Sequence, residues 1–233
     1  GGGHGDYHLI VLAPATVQEM ADFVGLGFAL AFKYRTPAMI LADGIVGQMM
    51  EKVVLPEQRP RRTDEEMRRQ CPWAACGRGN RDHRNVVTSL ELDSAKMEVN
   101  NHRFQETYRR IAENEVRYQE YFTDDAEYLI VAFGSIARIC LKAIEDARAK
   151  GIKIGLIRPI TLWPFPTAEI ARLAGRVKGI LTVELNAGQM VEDVRLAVEG
   201  AVPVYHFGRM GGMIPNPGEV LDAMAGHFED LKF

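Results

Sequence analysis

Strand-like and helix-like segments alternate along most of this 233-residue chain, and that alternation predicts an α/β fold. Continuous apolar runs, such as residues 9–13 and 128–133, are typical of strands buried on both faces of a parallel sheet. Apolar residues at helical spacing follow these runs. The content of 47% hydrophobic and 25% charged residues is ordinary for a globular protein.

The first zone, residues 1–53, is predicted to be a β-α-β piece. Its strands are residues 9–13 and 38–42, and the helix between them begins at Thr16, with Glu19 placed as in a capping box. Two strands and one helix bury too little apolar surface to fold alone. The piece therefore needs a partner, which is a missing half-domain, another copy of the chain, or the third zone.

The second zone, residues 54–125, is predicted to be an irregular arm followed by a helix over residues 101–122. Eight arginines lie between Arg59 and Arg84, but acidic residues interrupt them and the whole chain has a net charge of -3. A nucleic-acid partner would call for a basic face. We therefore favour a solvated or subunit-facing arm over a nucleic-acid patch.

The third zone, residues 126–233, is predicted to be a parallel α/β sandwich of about five strands. Strands are expected near residues 128–133, 153–157, 179–184 and 203–206, separated by helices. Residues 158–166 are expected to form a loop. Asn216, Pro217 and Glu219 have the order of an N-cap, a first-turn proline and an acid at the third position.

Polar residues follow the predicted strands of the third zone, at the edge where such folds gather ligands. Helix N-termini there can hold an anion, and arginines would add positive charge. The same residues also fit ordinary helix caps and turns at a subunit interface, which we favour. The candidates for an anion site or an interface are Ser135, Arg158, Asn186, Gln189 and Arg209.

Several kinds of site are not indicated. The chain has no GxGxxG or GxxxxGK[ST] motif, so the common nucleotide-binding fingerprints are missing. No His/Cys cluster has the spacing of a metal site. Cys71 and Cys76 are too few to hold an iron–sulfur cluster, which usually needs four cysteine ligands. The longest apolar run, residues 24–32, is far shorter than the roughly 20 residues that span a bilayer, so no membrane segment is expected. An odd count of three cysteines favours a reducing, cytoplasmic location.

Longer strings resemble a known family. Gly-Gly-Gly-His-Gly-Asp-Tyr at residues 1–7, and residues 9–14, 33–37 and 43–48, resemble the second half of the pyrimidine-binding domain in 2-oxoacid:ferredoxin oxidoreductases. Arg-Pro-Ile-Thr-Leu-Trp-Pro-Phe-Pro at 158–166 and Glu-Leu-Asn-Ala-Gly-Gln-Met at 184–190 resemble the transketolase-C-terminal-like domain of the same alpha subunits. The pattern is most similar to the branched-chain type, which acts on 2-ketoisovalerate, and implies an N-terminally truncated chain.

The resemblance implies oxidative decarboxylation of a 2-oxoacid to acyl-coenzyme A with electrons passing to ferredoxin. Thiamine diphosphate, Mg²⁺ and iron–sulfur clusters would act in the intact complex. The implied partners are a beta subunit, a ferredoxin-type iron–sulfur subunit and further copies of the chain. By position, His4, Gly5 and Asp6 resemble a loop facing the substrate, and Asp43 and Gly44 a second loop near the cleft.

The family's cofactor-activating glutamate lies upstream of residue 1. We therefore expect no catalytic residue, no bound cofactor and no activity in this chain alone. Two other functions stay open. The chain could be a non-catalytic assembly module, which would recruit the beta subunit without cofactor, or a coenzyme A-binding α/β domain that uses the edge at Arg158 and Arg209.

Overall fold

The computed structural model describes residues 2–3, 5–58, 60–75 and 77–233. The chain divides into unit 1, which comprises Gly1–Val54 and Gln105–Phe233, and unit 2, which comprises Leu55–Phe104. Across the described ranges, no helix combines the length and the apolar character that crossing a bilayer requires.

The helices and strands follow one another in a mostly alternating order. In chain order they are β1 (Ile10–Leu12), α1 (Val17–Tyr34), β2 (Ala38–Ile40), α2 (Gly44–Gln48), α3 (Asp64–Gln70), α4 (Ser94–Asn114), β3 (Tyr118–Tyr121), β4 (Tyr128–Val131), α5 (Ser135–Arg148), β5 (Ile154–Pro159), β6 (Thr161–Trp163), α6 (Thr167–Ala174), β7 (Ile180–Glu184), α7 (Met190–Val198), β8 (Val204–Gly208) and α8 (Pro217–His227).

The first β-α-β piece completes its sheet with a strand from the third zone. The sheet has the order β2-β1-β6, with β1 parallel to β2 and antiparallel to β6. The loop predicted over residues 158–166 is therefore wrong in part, because β5 runs through Pro159 and β6 follows at once. Three partners were expected to complete the sheet of the first zone, and the structure shows that the third zone does so through β6.

The second sheet has five strands in the order β3-β5-β4-β7-β8. Strands β5, β4, β7 and β8 run parallel to one another, as predicted for the third zone. The α/β fold predicted for the third zone is confirmed, but the fifth strand of this sheet, β3, is antiparallel to β5 and comes from before residue 126, so residues 126–233 supply four of its strands.

The helix predicted over residues 101–122 is also wrong at its end. Helix α4 stops at Asn114, and Tyr118–Tyr121 form β3 instead. The physical reason is tertiary: β3 pairs its backbone with β5, and the Tyr118 and Tyr121 side chains pack against the cores on opposite faces of the sheet. The second half of α4 and β3 therefore belong to unit 1, and only Leu55–Phe104 form a separate arm.

Helices cover both faces of the five-stranded sheet. Helices α5 and α8 pack on one face through residues such as Ile144 and Val220, and α6 and α7 pack on the other through residues such as Ile170 and Val194. All four of these side chains are completely buried. This two-layer covering explains why the central strands are apolar along their whole length.

A buried carboxylate joins α1 to the segment between α4 and β3. The Glu115 side chain is 4% exposed and accepts hydrogen bonds from Lys33 Nζ at 2.6 Å, Tyr34 Oη at 2.6 Å and Arg117 at 2.9 Å. Burial alone would raise the pKa of Glu115, but these hydrogen bonds outweigh it and hold the pKa below its usual value of 4.5.

We predict that Glu115→Gln lowers the free energy of unfolding by roughly 1.5–3 kcal/mol at pH 7, the range for hydrogen bonds to charged groups. Because the pKa is lowered in the folded protein, this stabilisation is present above pH 4.5 and is lost as the pH falls through the folded pKa. The difference between wild type and variant should therefore narrow below pH 4.5. Urea unfolding at several pH values measures it.

The matched control is Glu113→Gln, an exposed glutamate in the last turn of α4, two residues before Glu115, which should change stability by less than about 0.5 kcal/mol. A gap between wild type and Glu115→Gln that stays constant down to pH 3 would contradict the assigned sign.

Candidate functional site

The five candidate residues lie at one edge of the five-stranded sheet. Strands β4, β5, β7 and β8 run parallel, so their carboxyl ends meet there. Strand β4 lies between β5 and β7, which makes this the point where the strand order reverses and where such folds bind ligands. Arg158 lies near the carboxyl end of β5 and Arg209 directly follows β8. Two other strands separate β5 from β8, which places the two strands roughly 14 Å apart at the usual strand spacing.

Arg158 is held by a carboxylate of the same chain. Its guanidinium is 4% exposed and makes a bidentate ion pair with Glu19, with N–O distances of 2.6 and 2.9 Å. Glu19 also accepts the backbone N–H of Ala15 at 2.7 Å. Burial would raise the pKa of Glu19, but the hydrogen bonds from Arg158 and Ala15 lower it below its usual value. Arg158 is therefore a structural cation that links β5 to α1.

Asp43 caps two helices with one carboxylate. Its Oδ1 accepts the backbone N–H groups of Ile45 and Val46 at the start of α2, and its Oδ2 accepts that of Ser135, at 2.9 Å, at the start of α5. Gly134 is the N-cap of α5, so Ser135 is its first residue rather than the cap that the sequence suggested. Gly44 opens α2 and is exposed.

A third carboxylate of the first zone, that of Glu51, also binds a donor of the third zone. Glu51 accepts the backbone N–H of Val17 at 3.0 Å and makes an ion pair with Arg138 at 2.8 Å. The hydrogen bonds from Val17 and Arg138 lower the pKa of Glu51. The acids Glu19, Asp43 and Glu51 of the first zone thus each bind a donor of the third zone.

The N-terminus of α7 is occupied by Glu184, which is completely buried at the end of β7. Its carboxylate accepts the backbone N–H groups of Gln189 at 3.2 Å, Met190 at 2.9 Å and Val191 at 3.0 Å. The expectation that Asn186 caps this helix is wrong, because α7 begins at Met190 and the Asn186 side chain accepts the N–H of the loop residue Gly188 instead.

Arg209 and the loop after β8 form the outer end of the edge. Arg209 makes an ion pair with Glu219 at 3.1 Å and is partly exposed. The next residues leave three large apolar side chains in solvent, Met210, Met213 and Ile214, at 47–59% exposure. Exposed apolar side chains beside a charged residue are typical of protein contacts.

The two loops implied to face a substrate cleft do not meet. His4 lies outside the described residues. Gly5 and Asp6 are exposed and precede β1, whereas Asp43 and Gly44 follow β2. Because β1 and β2 are parallel, these loops lie at opposite ends of the strand pair. Near the first loop, the sequence reasoning missed His8, whose ring stacks on Trp163 with centroids 4.6 Å apart.

The polar groups at this edge of the sheet bind one another and join two parts of the same chain. At α1, α5 and α7, carboxylates of the chain fill helix N-termini that would otherwise attract an anion. Among the described residues, no three His, Cys, Asp or Glu side chains are grouped to hold a metal ion. Sequence reasoning missed Glu51 and Glu184. The sequence did offer one signal for the capping role of Glu184, because an acidic residue there ends a buried strand shortly before a helix.

We predict that Glu19→Gln lowers the free energy of unfolding by about 3–5 kcal/mol, because it leaves the buried Arg158 without a compensating charge. The matched control is Arg138→Gln, which breaks the more exposed ion pair with Glu51 and should have a much smaller effect. Denaturant unfolding measures both. Equal effects of the two substitutions would show that Arg158 is solvated rather than buried.

We predict that Glu184→Gln destabilises the protein by about 1–3 kcal/mol, because an amide N–H₂ would face backbone N–H donors and one buried donor would lose its acceptor. Glu192→Gln is the control, since Glu192 lies exposed in the first turn of the same helix. Thermal unfolding and amide exchange at residues 189–191 report the result. Unchanged exchange in Glu184→Gln would contradict the capping role.

Two families match the two parts of the chain. Residues 4–121 match the family described as "Pyruvate flavodoxin/ferredoxin oxidoreductase, thiamine diP-bdg", and residues 126–220 match "Pyruvate:ferredoxin oxidoreductase core domain II". A solved 2-oxoglutarate:ferredoxin oxidoreductase from Magnetococcus marinus has the same fold, with a TM-score of 0.75 over 97% of this chain and 43% of its own, at 20% identity.

Relatives of this chain are named as subunits of such enzymes. It is 47% identical, over 95% of its length, to "Ketoisovalerate oxidoreductase subunit VorB" of Methanothermobacter thermautotrophicus, and 33% identical, also over 95%, to "2-oxoglutarate synthase subunit KorA" of the same organism. The chain spans 61% of the first relative and 64% of the second. With both families matched in order along the sequence, the chain belongs to the 2-oxoacid:ferredoxin oxidoreductase family.

Proposed function

We propose that this chain is part of the alpha subunit of a thiamine diphosphate-dependent 2-oxoacid:ferredoxin oxidoreductase that uses 2-ketoisovalerate. The observation that carries the proposal is the 47% identity to a relative named for ketoisovalerate, against 33% to one named for 2-oxoglutarate. The reaction is the oxidative decarboxylation of the 2-oxoacid to acyl-coenzyme A, with electrons passed to ferredoxin.

The residues present do not by themselves fit thiamine diphosphate. Such a site needs a carboxylate directed at the cofactor ring, and the acids Glu19, Asp43, Glu51, Glu115 and Glu184 are all engaged by donors of the chain. The loops at Asp6 and Asp43 lie at opposite strand ends. We therefore assign thiamine diphosphate, Mg²⁺ and the iron–sulfur clusters to the intact complex, and derive no catalytic step from this chain.

The contribution of this chain is to hold the pyrimidine-binding piece against the transketolase-C-terminal-like domain. Three acids of the first zone bind donors of the third zone, and β6 pairs with β1 across the same boundary. This favours an assembly role within the enzyme over coenzyme A binding, because Arg158 and Arg209 already pair with Glu19 and Glu219. The apolar loop after Arg209 is a candidate contact for the beta subunit or the ferredoxin-type subunit.

The proposal predicts activity only in the assembly. The purified chain, supplied with thiamine diphosphate, Mg²⁺, coenzyme A, 2-ketoisovalerate and a viologen, should reduce no acceptor above the buffer rate. A complete alpha subunit that includes this sequence, assembled with its partner subunits, should reduce the viologen. Its kcat/KM should be higher for 2-ketoisovalerate than for 2-oxoglutarate or pyruvate.

The control is the same assembly without the 2-oxoacid, which separates substrate oxidation from background reduction. Acceptor reduction by the chain alone would contradict the assembly role. A higher kcat/KM for 2-oxoglutarate in the complete enzyme would contradict the substrate and leave the family unchanged.

A further inference from the structure

Strand β8 carries a histidine, His206, whose ring lies beside the buried carboxylate of Glu184. The Nδ1 atom of the ring is 3.4 Å from Glu184 Oε1 and 3.3 Å from the hydroxyl oxygen of Thr182. Thr182 and Glu184 are completely buried on the neighbouring strand β7. Because Thr182 pairs with His206 and side chains alternate along a strand, the register of β7 and β8 places all three side chains on one face of the sheet.

The surroundings of Nδ1 fix where the ring carries a proton. The Thr182 hydroxyl donates to the carbonyl oxygen of Tyr205 at 3.2 Å, so its oxygen is left to accept from the ring. Glu184 Oε1 accepts the backbone N–H of Val191, and a carboxylate oxygen can only accept. A nitrogen that faces two acceptors has to be a donor, so Nδ1 carries a proton.

The other ring nitrogen, Nε2, favours the same arrangement. It is buried and has no hydrogen-bond partner in the described parts of the chain. An N–H group at this position would be a buried donor without an acceptor, which is rare in folded proteins. The neutral ring is therefore best accommodated with its proton on Nδ1 and with Nε2 bare.

The turn between β7 and α7 is folded around this ring. A Cβ atom on Gly188, where φ is +109°, would contact Nε2 at 3.5 Å. A Cβ atom on Gly208 would lie 2.6 Å from Nε2 and 2.1 Å from the carbonyl oxygen of Asn186, so no side chain fits there. The ring of His206 thus fills the space between the turn and the end of β8, and its position is coupled to that of the turn.

We propose that His206 is the positioning residue of this turn, because its Nδ1–H group stabilises the Glu184 carboxylate in the orientation that caps α7. Glu184 is shielded from water, and a buried carboxylate is unfavourable unless donors surround it. Three backbone N–H groups of residues 189–191 approach it from the helix, and His206 approaches it from β8. Through Glu184, His206 fixes Asn186 and Gln189 at the carboxyl edge of the sheet. The inference does not depend on the substrate or cofactor of the enzyme.

Nitrogen-15 NMR of the imidazole side chains tests the donor on the unaltered chain. The spectrum is recorded at pH 8.5, above the range in which imidazoles ordinarily titrate. The signals of His206 are assigned by their loss in His206→Gln, and they should show a protonated Nδ1. A bare Nδ1 would overturn the proposal, because the ring could then not donate toward Glu184. This measurement decides the donor role even where a variant fails to fold.

Amide exchange at residues 189–191 tests the positioning. His206→Leu removes the donor and should speed exchange there about tenfold. His206→Asn should restore most of the protection, because its amide nitrogen can take the place of Nδ1. His227→Leu is the matched control, since His227 is exposed and stacks on Tyr205 of the same strand with centroids 4.3 Å apart. It should leave exchange at 189–191 unchanged. Equal exchange in His206→Leu and His206→Asn would mean that only the bulk of the ring matters, and would overturn the proposal.

A double-mutant cycle separates action through Glu184 from a general loss of packing. His206→Leu is combined with Glu184→Gln, and exchange at residues 189–191 is compared with that of each single variant. If His206 acts through the carboxylate, its substitution should add little once the carboxylate is gone. Circular dichroism melting checks that each variant is folded. Fully additive effects of the two substitutions would overturn the proposal.

Discussion

The ion pair between Glu19 and Arg158 lies where the two sheets of unit 1 meet. Arg158 sits at the end of β5 with its guanidinium buried, and a buried cation without a partner is strongly unfavourable. The chain turns immediately afterwards into β6, which pairs with β1, and the carbonyl of Ile160 accepts the N–H of Ala13 at 2.8 Å. Side-chain and backbone contacts therefore join the β-α-β piece to the five-stranded sheet at one point. Neither part can satisfy its polar groups there without the other.

Pairing within the chain also explains why the helix N-termini at the carboxyl edge of the five-stranded sheet are occupied. In many α/β proteins a ligand supplies the negative charge that helix N-termini attract. Here Asp43 supplies it to α5 and Glu184 supplies it to α7. A carboxylate held by its own chain has a much higher effective concentration than a dissolved anion. The edge is thereby fixed as a joint between parts of the same chain.

The sequence predicted local features well and contacts between distant segments poorly. The cap at Asn216 and the apolar strands depend on neighbouring residues, and both are present. Strand β3 was predicted as helix because Tyr118 lies near the helical stripe of Phe104, Tyr108 and Ile111, and it becomes a strand only by pairing with β5, more than 30 residues away. Glu184 was missed for another reason: Asn186 is a preferred capping residue, and the sequence cannot show which oxygen reaches the helix.

Unit 1 and unit 2 differ in what they leave for other molecules. Unit 1 pairs its buried acids internally and covers its sheet on both faces, so its strongest polar groups are not available to a ligand. Unit 2 buries little apolar surface, so burial offsets little of the conformational entropy that its residues lose when they are ordered. The polar groups of unit 1 are therefore satisfied within the chain where its two sheets meet, whereas large apolar side chains of unit 2 stay exposed.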